Sequence, residues 1–194
     1  MKIRQIKINT ESEYREFLGK LKRYRGLLYR NTRFEISSAL HNERIRDMET
    51  ALNIKNRRQR IEYLYDRACD IVDEYNNKNG IICHYSAEGI CEDPKHQKNK
   101  NGCCFICYLQ SPEGCPTKNL SCKLFYCDHM CSKYVPITMD DIDLLKLFTW
   151  SQREIIKSNE FLDRKTYIDI LWVGSYMLFC LYSIRKLFRM RKYI

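Results

Sequence analysis

Residues 60–75 read RIEYLYDRACDIVDEY, and Ile61, Leu64, Tyr65, Ala68, Cys69, Ile71, Val72 and Tyr75 recur at three- and four-residue steps along one face. That period is helical. Asn76, Asn77, Lys78, Asn79 and Gly80 then break the stripe with residues that end helices. Cys69 lies inside the apolar face, where a thiol behaves as a small hydrophobe, and it reads as a core residue rather than a ligand.

Working toward the N-terminus, Tyr14, Phe17, Leu18, Leu21, Tyr24, Leu27 and Leu28 form a second helical stripe. Thr10 and Glu13 have the spacing of a capping box at its start. A looser series, Phe34, Ile36, Leu40, Ile45, Met48 and Leu52, lies closer to a helical period than to strict alternation, and His41 falls within this expected helix. Seven glycines and four prolines against fourteen tyrosines also favour helices with aromatic cores over a turn-rich β architecture. The fold class expected is mainly α: a helical region over 1–80 and another over 136–194, flanking an irregular segment over 81–135.

That middle segment holds nine of the eleven cysteines: Cys83, Cys91, Cys103, Cys104, Cys107, Cys115, Cys122, Cys127 and Cys131. The opening residues, MKIRQIKINTESEYREF, alternate charge and hydrophobe and lack the apolar run of an export signal, so a cytoplasmic chain is expected. In a reducing compartment clustered thiols bind metal or do redox work more often than they form disulfides, and an odd number cannot pair completely within the cluster. Metal would also replace the core that so short and polar a segment lacks.

Cys104 and Cys107 form a C-x2-C half-site, the spacing from which two thiolates reach one Zn2+. Cys103 and Cys104 are adjacent, so in an extended backbone they face opposite sides and serve different sites, unless one is not a ligand. Two zinc centres of four thiolates each, or one [4Fe-4S] cluster with the remaining thiolates on zinc or free, both satisfy the cysteine count. His84 and His96 are possible substitutes for a cysteine, and His129, in the run CDHMC, for a group supporting a ligand. For all three, an ordinary surface or packing role is the favoured reading.

The run CCFICYLQSPEGCPTKNLSCKLFYC resembles the core of the bacterial YkgJ-like cysteine-cluster proteins, a family grouped as zinc- or iron-chelating. The resemblance rests on the doublet Cys103 and Cys104, Cys107 followed by Tyr108 and Leu109, the Gly114–Cys115 turn, and Cys122 followed by Lys123 and Phe125. It covers about a quarter of the chain and implies metal chelation by these cysteines. The family's Arg-Pro before the later cysteine is replaced here by Asn119, Leu120 and Ser121, and the interval is shorter. The chain is also similar to uncharacterised cysteine-rich proteins of clostridial type, a likeness that implies no activity.

After Pro136, Thr138 and Asp141 look like the cap of a helix through Leu144, Leu145, Leu147 and Phe148. Ser151 with Glu154 has the form of a second capping box, and a last helix is expected from about Phe161 or Asp163. Ile170–Ile184, ILWVGSYMLFCLYSI, is free of charge and precedes the basic residues Arg185, Lys186, Arg189, Arg191 and Lys192. At fifteen residues it falls short of the roughly 20 a spanning helix needs, so it reads as a buried helix or dimer seam, with membrane association through 170–194 as the alternative. Cys180 within it reads as a core thiol.

The formal net charge is +10. Apart from the basic tail, Lys22, Arg23 and Arg25 and then Lys55, Arg57, Arg58 and Arg60 form clusters near helix ends, where they suit solvated faces or contact with nucleic-acid phosphates, with Tyr24 and Tyr63 for stacking. No P-loop, dinucleotide fingerprint, nucleophile elbow or H-E-x-x-H motif is present. The expectation is a metal-stabilised interaction module with a protein partner, a second copy of itself or a nucleic acid, rather than an enzyme. An iron-sulfur redox or metal-dependent enzyme is the competing reading.

Overall fold

The Thr10–Glu13 capping box is present: the Thr10 hydroxyl accepts the Glu13 N–H, and the Glu13 carboxylate accepts the backbone N–H of Asn9 and Thr10. It opens helix α1 (Glu11–Tyr24), which buries Tyr14, Phe17, Leu21 and Tyr24. The structure, a computed structural model, describes residues 2–81, 119–158 and 162–181. Within them the order is β1 (Lys2–Ile8), α1, a 3-10 turn (Leu27–Tyr29), β2 (Thr32–Ser38), α2 (Asn42–Asn53) and α3 (Arg57–Lys78). Then come α4 (Leu120–Lys123), α5 (Asp128–Lys133), 3-10 turns at Met139–Asp141 and Asp143–Leu147, α6 (Trp150–Lys157) and α7 (Arg164–Val173).

The mainly helical class holds, with one addition: β1 and β2 pair in parallel, from Lys2 beside Thr32 to Ile8 beside Ser38. The looser apolar series is therefore not one helix. Phe34 and Ile36 lie two apart on β2, whereas Ile45, Met48 and Leu52 lie on α2. His41 is not helical; it precedes α2 with φ 52°, its ring tied to Glu11 at 2.6 Å. Asn53 occupies the open edge of β2: its amide accepts the Phe34 N–H and donates to the Phe34 carbonyl, each at 2.8 Å. That pairing blunts the edge of β2 at Phe34 against the addition of another strand.

Leu27 and Leu28, expected on the first helix, lie in the 3-10 turn beyond it and are 87% and 93% exposed. The second capping box forms two residues earlier than Ser151 and Glu154, on Thr149 and Gln152. The helix expected through Phe148 is two 3-10 turns, the first capped by the Thr138–Asp141 box. Asp163 caps α7, which ends at Gly174 in the left-handed region (φ 69°). Ile170–Ile184 is therefore not one continuous helix, and no helix among the described residues is long and apolar enough to cross a membrane.

Helix α3 is the spine, packed against α2, α4, α7 and the Asp143–Leu147 turn. One cluster of buried residues runs from Ile8 through Tyr65, Ala68, Cys69 and Val72 on α3 to Leu120, Phe148, Ile155, Tyr167 and Phe179. Cys69 is fully buried, as expected, and burial pushes its thiol up to about 12. Cys180 packs at the margin of this core.

Candidate functional site

Within the cysteine segment, Asn119, Leu120 and Ser121 lie in the core, where their polar groups are buried and matched. Asn119 is 2% exposed; its amide donates to the Leu162 carbonyl at 2.6 Å and its carbonyl accepts the Cys122 N–H at 3.0 Å, capping α4. The Leu120 N–H donates to the Tyr65 hydroxyl at 3.0 Å, and the buried Ser121 hydroxyl donates to that of Tyr167 at 2.6 Å. Lys123 pairs with Asp73 on α3. Buried polar groups are costly unless hydrogen-bonded, so this set holds one geometry and positions Cys122 against the spine.

Short helices α4 and α5 interrupt the stretch expected to be irregular. Cys127 is the extended N-cap of α5, and the Cys131 N–H donates to its carbonyl at 2.9 Å, so the two residues bracket the first turn of the helix. Their spacing brings the two cysteines close in the chain, as two ligands of one ion require. Cys131 is exposed, its thiol donating weakly to the Tyr126 carbonyl at 3.7 Å. Half-buried His129 lies between them, its carbonyl accepting the Ser132 hydroxyl. Phe125 and Val135, 45% and 76% exposed, flank the pair. Cys83, Cys91, Cys103, Cys104, Cys107 and Cys115, with His84 and His96, lie outside the described residues. Among the described residues no group of three or more His, Cys, Asp or Glu side chains is placed to hold a metal.

A second feature joins the two basic clusters. The end of α1 meets the start of α3 around a cavity of about 510 Å³ lined by Arg25, Arg30, Lys55, Arg57, Arg58 and Arg60. An adjoining cleft of about 380 Å³ shares Arg25, Arg57 and Arg60 and adds Lys22. Among the described residues no carboxylate lines either one. Arg25 donates to the Leu147 carbonyl at 2.6 Å, Lys55 to the Thr32 carbonyl, and Arg58 pairs with Asp169 and Glu62. Burial, and then repulsion from Arg60 and Arg57, holds the Arg25 guanidinium below its usual range. Burial and Arg57 do the same to Arg60, as burial and Arg60 do to Lys55. The aromatic residues expected to stack on bases have other employment. Tyr24 is buried, the Arg4 guanidinium lies 5.1 Å from its ring and 5.3 Å from that of Tyr29, and the Tyr63 hydroxyl donates to Asp47.

Spacing alone exposed the cysteines but not the buried anchor, because Asn119 and Ser121 look like loop residues until Tyr65 and Tyr167 are placed beside them. Comparison with family models, curated proteins and solved structures gives no match.

Proposed function

We propose that this chain is a cysteine-coordinated metal-binding protein in which the metal is structural and orders an interaction surface. The observation that carries the reading is the Cys127–Cys131 pair, at the N-cap and in the first turn of a helix that follows a buried, hydrogen-bonded anchor. Six further cysteines of the segment precede that anchor in the sequence, enough to complete tetrahedral thiolate sites. Metal binding then contributes folding free energy to a stretch with few apolar residues of its own. Phe125 and Val135, exposed beside the pair, are the surface offered to a protein partner or a second copy of the chain.

The test is elemental analysis with a visible spectrum on protein purified anaerobically. About two zinc ions per chain and no colour support the proposal, since eight thiolates complete two tetrahedral centres. Iron with matching sulfide and a brown colour would transfer the cysteines to a redox role. Protein that is metal-free as isolated and takes up neither zinc nor iron would contradict it.

A further inference from the structure

Among the described residues none from the cysteine segment lines the cationic cleft. Among the described residues no carboxylate lies within ion-pair distance of Arg25, Arg30, Lys55, Arg57 or Arg60. Arg57, Arg58 and Arg60 also occupy the first turn of a 22-residue helix whose first turn holds no acid. Partial positive charge of the helix dipole accumulates there, so cations are disfavoured. The amides of Arg58 and Gln59 are already taken by the Asn56 side chain, which leaves the guanidinium groups as the donors an incoming anion would meet. Like charges gathered at the wrong helix end, of which Arg58 alone is paired with carboxylates among the described residues, are poised for an external anion.

The rim of the cleft identifies the kind of anion. Leu27 lines the cavity and Leu28 follows it on the 3-10 turn, both almost wholly exposed, with Arg25 and Arg30 on either side. Trp172, 47% exposed, lines the same cavity, and Val173 beside it is 52% exposed. A nucleic acid would find the Tyr24 ring buried and Tyr63 outside the lining of the cleft, and would leave both leucines in water. A bilayer surface satisfies every group: aliphatic side chains enter the acyl boundary, tryptophan sits at headgroup level, and Arg and Lys meet lipid phosphates. We propose that the cationic cleft between the end of α1 and the start of α3, with Leu27 and Leu28 at its rim, docks this protein on an anionic phospholipid surface.

The full chain is sedimented with vesicles of phosphatidylcholine alone, and with vesicles in which about a quarter of the lipid is phosphatidylglycerol. Binding is expected on the anionic vesicles only and is expected to weaken as salt rises. Leu27→Ser with Leu28→Ser, at positions too exposed to affect folding, is expected to weaken vesicle binding at least tenfold with an unchanged melting curve. Arg30→Ser with Arg57→Ser is expected to do the same. Equal binding to both vesicle types would assign the attachment to apolar insertion elsewhere in the chain and overturn the proposal. So would vesicle binding insensitive to both double variants, or tighter binding to a single-stranded RNA oligonucleotide that is indifferent to the leucines.

Discussion

Replacing Tyr65 by Phe removes one oxygen from the centre of the anchor and leaves its volume nearly unchanged. Tyr65 is fully buried, and its hydroxyl is the acceptor for the Leu120 N–H. Phenylalanine opens no cavity, so the cost is that of a buried donor left without a partner, about 1–3 kcal/mol. For a chain of this length 1 kcal/mol shifts Tm by roughly 2–4 °C, which makes the central expectation a loss of about 4–8 °C. Urea unfolding followed by far-ultraviolet circular dichroism should show a lower midpoint at constant slope. Tyr63→Phe is the control: its hydroxyl meets Asp47 on a partly exposed face, where water can replace it, and the change should stay within about 0.5 kcal/mol. If Tyr65→Phe were as mild as Tyr63→Phe, the Leu120 N–H would not be a buried anchor, and the argument for how Cys122 is positioned would fail.

Gly174→Ala forces a side chain into the left-handed region and places its Cβ 3.2 Å from an Arg57 nitrogen, so a loss of about 1–2 kcal/mol is expected in the same assay. Burial holds the Cys69 thiol up to about 12, and iodoacetamide at pH 8 should spare it in the folded chain while labelling Cys131 in metal-free protein, as peptide mass mapping would show. The Asp163 carboxylate lies below its ordinary 3.8 because the Thr166 hydroxyl and N–H donate to it. Its contribution to stability is present above that value and lost as pH falls through the lower folded value, so Asp163→Asn should flatten the acid limb of a plot of stability against pH below about 4.

Elements set by local pattern were legible in the chain itself. The α3 stripe, the Thr10–Glu13 box and the Asp163 cap each depend on residues within one or two turns of one another. The strands were not, because β1 and β2 pair across about two dozen intervening residues. Phe34 and Ile36 alone are too short a run to reveal alternation beside the helical residues of α2. At Thr149 and Ser151 two sequences of capping form compete, and tertiary contacts decide. The Gln152 amide donates to the Leu171 carbonyl inside the core, and the Ser151 hydroxyl accepts the Tyr176 N–H. The site divides the same way. Its cysteines announce themselves by number and spacing, whereas the anchor beneath Cys122 and the cationic cleft bring together residues far apart in the chain.

The central claim is that cysteines of this segment share a structural metal and that the α5 pair is part of the ligand set. The most direct test is the metal-to-protein ratio of Cys127→Ser with Cys131→Ser beside the unaltered chain, both purified anaerobically. The account predicts a loss of about one ion per chain in the variant, because tetrahedral thiolate coordination does not survive removal of two of its four ligands. A double variant with the same metal content as the unaltered chain would contradict it.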